Sequence, residues 1–181
     1  MLQLILEADR NILLFIQEFL RFEWLNPIVI FFTHLGDGGA VWILSAALLL
    51  IKKQYRKTGI LAATALLIGF LVTNLLLKNL IMRPRPYDAV LELHALVMER
   101  GWSFPSGHST SSMAAGTVMF LRMPHTTGIP ILILAIIICL SRLYVGVHYP
   151  TDVICGALVG MFAAVCALQI VERREKKLGL S

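Results

Sequence analysis

Apolar residues in this chain fall in long blocks, not in the short alternating or one-sided stripes of a soluble fold. Of 181 residues, 57% are hydrophobic and 15% charged, and the mean hydropathy is +0.77. A soluble domain carries about a quarter charged residues. A core this small has no room for all the blocks, so lipid must solvate much of the surface. Five segments are long enough to be read as crossings: 24–51 with a kink at 34–39, 58–78, 105–122, 128–142 and 151–171. The fold expected is all-α, a polytopic membrane helix bundle of about five transmembrane helices, with one domain over 1–181 and the bundle over 24–171.

Residues 1–22 read differently. Glu7, Asp9 and Arg10 interrupt the apolar run early, and no small-residue cleavage site follows, which argues against a cleaved signal. At 100° per residue Gln3, Glu7, Arg10, Asn11, Gln17, Glu18 and Arg21 share one face, with Asp9 a misfit among the apolar positions. This is the pattern of an amphipathic helix lying in the interface.

The net charge of +5 does not point to nucleic acid, because the basic residues sit in short clusters beside the apolar blocks. Lys52, Lys53, Arg56 and Lys57, then Arg122 and His125, then a basic tail over 172–181 fall on one side of a five-span chain. The positive-inside rule makes that side cytoplasmic. The loops 79–104 and 143–150 then share the outer side with the N-terminus. Cys139, Cys155 and Cys166, odd in number and inside apolar segments, read as packing residues. Gly156 and Gly160 form a small-xxx-small pair, read as tight packing within the bundle.

Three polar clusters lie at the outer ends of the spans: Lys78 with Arg85-Pro86; Pro105-Ser106-Gly107-His108; and Ser141-Arg142 with His148 and Asp152. Lys78, Arg85 and Arg142 place three cations on the side where the orientation rule predicts few. Guanidinium forks and a lysine point charge suit phosphate oxygens. Ser106 and Gly107 open a helix, whose free N–H groups and dipole favour an anion. A carboxylate at Asp152 can fix the His148 tautomer and leave the other ring nitrogen free to attack. Tyr149-Pro150 between them favours a bond across a turn. No metal site is expected, since a metal needs more ligands than His108 and this pair supply, and three cations would repel it. Asp88, Glu92, Glu99 and Arg100 read as a solvated loop face that could shape the entrance.

Lys-x6-Arg-Pro, Pro-Ser-Gly-His and Ser-Arg-x5-His-x3-Asp resemble the three ordered motifs of the type 2 phosphatidic acid phosphatase superfamily, which also includes vanadium haloperoxidases. The resemblance covers 78–152 without a substitution at a motif position. Arg83-Pro84 offers a second Arg-Pro, but the six-residue spacing from Lys78 selects Arg85. Many members resemble six-span bundles, and the interfacial reading of 1–22 departs from that. The resemblance implies a lipid phosphatase without cofactor or metal. His148 would be the nucleophile, oriented by Asp152, and His108 the proton donor and later the base. Lys78, Arg85, Arg142, Ser106 and Gly107 would hold the phosphate.

It further implies a bacterial membrane enzyme acting at the extracytoplasmic face, with undecaprenyl pyrophosphate as the first substrate. Phosphatidylglycerol phosphate, phosphatidic acid and lipid A phosphates compete with it. The rival functions are a non-catalytic phospholipid-binding membrane protein, a small transporter and a haloperoxidase. The histidine pair opposes the first, the near-absence of ionisable groups in mid-span the second, and the lipid-embedded frame the third.

Overall fold

The computed structural model describes residues 2–178, all helix, turn and loop, with no strand among them. The helices are α1 (Leu2–Phe15), α2 (Asn26–Leu35), α3 (Ala40–Ile51), α4 (Arg56–Phe70), α5 (Lys78–Ile81), α6 (Pro86–Ala89), α7 (Gly107–Arg122), α8 (His125–Tyr144) and α9 (Pro150–Leu178). Three stretches are long and apolar enough to cross a bilayer: Lys53–Ala89, His125–Tyr144 and Pro150–Arg174. The pair Asn26–Leu35 and Asp37–Ile51 makes a fourth, bent by 43°. Gly38 and Gly39, with φ of 57° and 72°, make the bend; only glycine takes such backbone without strain.

The expected fifth crossing, α7, is the exception. Its 16 residues rise about 24 Å, short of the roughly 30 Å hydrocarbon layer. It carries Ser109, Thr110 and Ser112 fully or nearly buried, and it packs against α4, α8 and α9. Trp42 of α3 and Thr73 of the turn at 71–77 supply polar partners that lipid cannot. Trp42 donates its ring N–H to Ser112 at 2.9 Å, and the Thr73 and Thr110 hydroxyls meet at 2.9 Å. The short helix therefore forms the axis of the bundle.

Small residues let the axis be approached closely. A Cβ on Gly156 would lie 2.5 Å from the Ser106 carbonyl, and one on Gly160 would lie 2.4 Å from that of Thr110. The Gly156–Gly160 pair is packing inside the bundle, as expected. Ala62, Ala65, Ala114, Ala115, Ala135, Ala163, Ala164 and Ala167 continue this core.

Between α4 and α5 the helix widens over Leu71–Leu77, so that the Lys78 N–H bonds to the Thr73 carbonyl five residues back. Such wide turns often sit at functional sites. Here the turn lies one residue before the first motif. At the other end, the basic residues expected as a separate tail, 172–181, continue α9 through Leu178. Residues 179–181 fall outside the described part. Lys176 and Lys177 in the last turn complement the negative end of the helix dipole.

The α1 helix and the turn after it lie across one end of the bundle. Among the described residues, α1 and 16–22 send their tertiary side-chain bonds to residues 83, 92, 94, 144 and 151. Leu13 is buried with Leu93 and Tyr149. This docking explains the misfit: Asp9 is 2% exposed because it faces Arg83 and Thr151.

Gly160→Ala is expected to destabilise the bundle by about 1–3 kcal/mol, the usual effect of overpacking. Leu158→Ala, at an exposed position, should leave the detergent melting temperature within about two degrees. Thermal unfolding of both variants checks this; a dimer-seam role would instead change the oligomer size.

Candidate functional site

The three motifs converge where α4–α5, α7, α8 and α9 meet. His148 follows a tight turn in which Gly146 has a φ of 79°, and α9 begins two residues later. The Tyr149 N–H donates to Asp152 Oδ2 at 2.9 Å, so Asp152 caps the helix that carries it. The same oxygen lies 3.5 Å from His148 Nδ1 and accepts from Ser103 Oγ at 2.5 Å. Across the ring, Arg85 Nη1 donates to His148 Nε2 at 3.2 Å. These partners put the proton on Nδ1 and leave the Nε2 lone pair toward the arginine. The pair meets across a turn, as Tyr149-Pro150 implied.

Arg85 is 2% exposed and Arg142 fully buried. Arg85 is held by the carbonyls of Gly101, Val147 and Arg100 at 3.0, 3.0 and 3.1 Å. Arg142 donates to the Thr33 hydroxyl and to Glu99. Its Nε finds no acceptor among the described residues. A buried guanidinium N–H without a partner is costly, and an oxygen of a bound anion would satisfy it.

Glu99 is the residue that sequence reasoning misplaced. The sequence places it on a solvated loop face; its carboxylate instead pairs with Arg142, lies 3.3 Å from Arg85 and 3.9 Å from His108 Nδ1. Burial alone would raise its pKa, but Arg142, His108 and Arg85 outweigh this and hold it below the usual carboxylate range. Glu99 thus sits over the cations that the motifs assign to phosphate. The surplus of outer-side cations was the one signal in the sequence that called for an acidic partner.

Asp37 was also missed. It lies at the 34–39 kink, far from the motifs in sequence, and accepts from His108 Nε2 at 2.9 Å while its other oxygen meets His34 Nδ1 at 2.7 Å. Gly36 brings the kink this close, since a Cβ there would lie 2.6 Å from the His108 ring. His108 and His148 therefore each have a carboxylate of their own. Asp37, Glu99 and His108 offer ligand atoms within 4.8 Å of one another, but Glu99 is shared with two guanidinium groups, whose charge opposes a divalent ion there.

A cavity of about 630 Å³ begins at Lys78, Glu99, Gly107, His108 and His148. It continues between α3 and α4 past Ile43, Phe70, Ala47, Leu67 and Leu50. Arg85, Arg142 and Ser106 stand behind this lining. Ser106 caps α7 by accepting the Ser109 N–H at 3.3 Å, and it does not line the cavity. Of the eight expected residues, Lys78, Gly107, His108 and His148 line the polar end, and Arg85, Arg142, Asp152 and Ser106 stand behind it.

A family model describing the PAP2 superfamily matches residues 57–176. The chain belongs to the PAP2 superfamily. Among curated relatives, the undecaprenyl-diphosphatase of Sulfolobus acidocaldarius is 34% identical over 147 residues, 81% of this chain and 70% of that one. Among solved structures, Aquifex aeolicus LpxE superposes with a TM-score of 0.77 at 26% identity, covering 92% of this chain and 95% of that one. The PAP2-type phosphatidylglycerolphosphate phosphatase of Bacillus subtilis gives 0.74 at 26% identity, covering 93% and 87%. This PAP2 chain is a multi-pass membrane lipid phosphatase, a hydrolase of phosphoric esters.

Replacing Glu99 by Gln removes the carboxylate charge from the cations. Inorganic phosphate is then expected to inhibit turnover at about three- to tenfold lower concentration, because it no longer displaces an ion pair. Competitive inhibition constants for the two proteins check this.

Proposed function

We propose that this chain hydrolyses undecaprenyl pyrophosphate at the outer face of the membrane through a phosphohistidine on His148. The observation that carries the reading is the continuous cavity, polar at His108 and His148 and apolar along α3 and α4. A substrate that fits both ends has a phosphate head and a long hydrocarbon tail that need not leave the bilayer. The choice of a diphosphate follows the similarity to the Sulfolobus relative, an undecaprenyl-diphosphatase.

In the first step His148 Nε2 attacks the terminal phosphorus, and the bond to the bridging oxygen breaks. His108 gives its Nδ1 proton to the leaving oxygen, its Nε2 being tied to Asp37. The phosphate oxygens take the place of the Glu99 carboxylate on Arg85 and Arg142, with Lys78 and the Gly107 N–H completing the contacts. In the second step water attacks phosphorus, His108 Nδ1 takes its proton, and the N–P bond breaks to release phosphate. Charge neutralisation comes from side chains, so no metal is needed. The outward orientation rests on the basic clusters at the opposite end from the site.

Burial lowers the His148 pKa to about 4, opposed by its bond to Asp152. The ring is then neutral and nucleophilic through the neutral range. The acid limb of kcat/KM that reports His148 should fall near pH 4. Because the folded value lies below the ordinary value of about 6.5, the contribution of His148 to stability is complete above that pH. It is lost as pH falls toward 4. Thermal unfolding between pH 7 and 4 checks the second point, and a kcat/KM profile the first.

Turnover of undecaprenyl pyrophosphate should be abolished in His148→Ala and should survive EDTA. Acid-labile phosphate should be trapped on the wild-type chain. In a panel with phosphatidic acid and phosphatidylglycerol phosphate, the diphosphate should give the highest kcat/KM; another winner would replace the substrate, and persistent turnover in His148→Ala would refute the mechanism. An impermeant thiol reagent should label Glu92→Cys, and not Gln54→Cys, in intact cells.

A further inference from the structure

Arg83 lies two residues before the motif arginine and was set aside on spacing. Its guanidinium donates through Nη1 to Asp152 Oδ1 and to Thr151 Oγ1, each at 2.7 Å, and through Nη2 to Asp9 Oδ2 at 2.7 Å. It rests on the Tyr149 ring, 3.7 Å from the centroid. Its carbonyl accepts from the Ser103 N–H at 2.8 Å, and Ser103 Oγ donates to Asp152 Oδ2. Asp152 is thus held on both oxygens by a unit built on Arg83: directly on Oδ1, and through Ser103 on Oδ2.

The far side of Arg83 is fixed from the N-terminal helix. Asp9 accepts the Thr151 N–H at 3.0 Å and the Thr151 hydroxyl at 2.5 Å. By contrast, the other ion pair of α1, Arg10 with Glu92, is exposed on both sides and contributes little. Buried charge on an interfacial helix persists where a partner requires it, and this partner reaches the carboxylate behind His148. None of the Arg83 bonds goes to Lys78, Arg85 or Arg142.

We propose that Asp9 and Arg83 are positioning residues for phosphoryl transfer: Arg83 holds Asp152 in the orientation that serves His148, and Asp9, carried on the interfacial helix, holds Arg83. The inference rests on the reading of His148 as nucleophile. Without the Arg83 side chain Asp152 loses its Oδ1 partner and keeps only the Tyr149 N–H and Ser103 bonds on Oδ2, so its orientation toward His148 is less firmly set while the phosphate contacts stay in place. The chemical step slows and ground-state binding does not change.

The test uses the full chain in detergent with undecaprenyl pyrophosphate as substrate and inorganic phosphate as competitive inhibitor. Arg83→Met should lower kcat by about ten- to a hundredfold with KM and phosphate inhibition within about threefold, and Asp9→Asn should lower it by about three- to tenfold. Arg83→Lys should recover part of the loss. In the Arg83→Met, Asp152→Asn double variant kcat should fall less than about threefold below that of Asp152→Asn alone, since both changes remove one device. A multiplicative double variant, an unchanged kcat in Arg83→Met, or a loss confined to KM would overturn the proposal. Should Arg83→Met fail to fold, Arg83→Lys and Asp9→Asn carry the same kcat-against-KM comparison. His148→Ala is run beside them: if it is inactive while the double variant is multiplicative, this inference alone fails, and if it turns over, the nucleophile reading fails first.

Discussion

Arg85 and Arg142 are almost without water at the end of a bundle surrounded by lipid, and much of the surrounding structure answers that one constraint. A guanidinium in such a place needs acceptors on every N–H and a negative partner. Gly101, Arg100 and Val147 supply carbonyls to Arg85, Thr33 a hydroxyl to Arg142, and Glu99 a carboxylate to both. The loop before α7 and the turn before α9 are shaped by these contacts. What is left over among the described residues is the Arg142 Nε.

The short central helix follows from the same requirement. A polar helix start cannot face lipid, and α7 is walled by α4, α8 and α9. Glycine on α9 and alanine on α9 and α4 bring those walls close to α7. The cavity runs from the polar end between α3 and α4 along apolar side chains.

Much of this was legible in the chain. The apolar blocks give the crossings, because each crossing must satisfy its own backbone in lipid. Motif spacing gives His108, His148, Asp152, Lys78, Arg85 and Arg142, because each sits at a helix end where local geometry fixes direction. Arg83, Asp37, Glu99 and Ser103 were set aside or missed for a shared reason: their partners are distant in sequence. Asp9 registered only as an amphipathic misfit, which is how a residue with a tertiary partner looks when read on its own helix.

Hydropathy and charge clustering by themselves settled that this is a membrane-spanning helical chain with its chemistry at one end, since solvation in lipid acts on each segment separately. Only the tertiary structure decided which carboxylate serves which cation and how a kink at 34–39 comes to hold His108. Those pairings depend on distances between segments that no local pattern encodes, and in a low dielectric an ion pair is decided by a few ångströms.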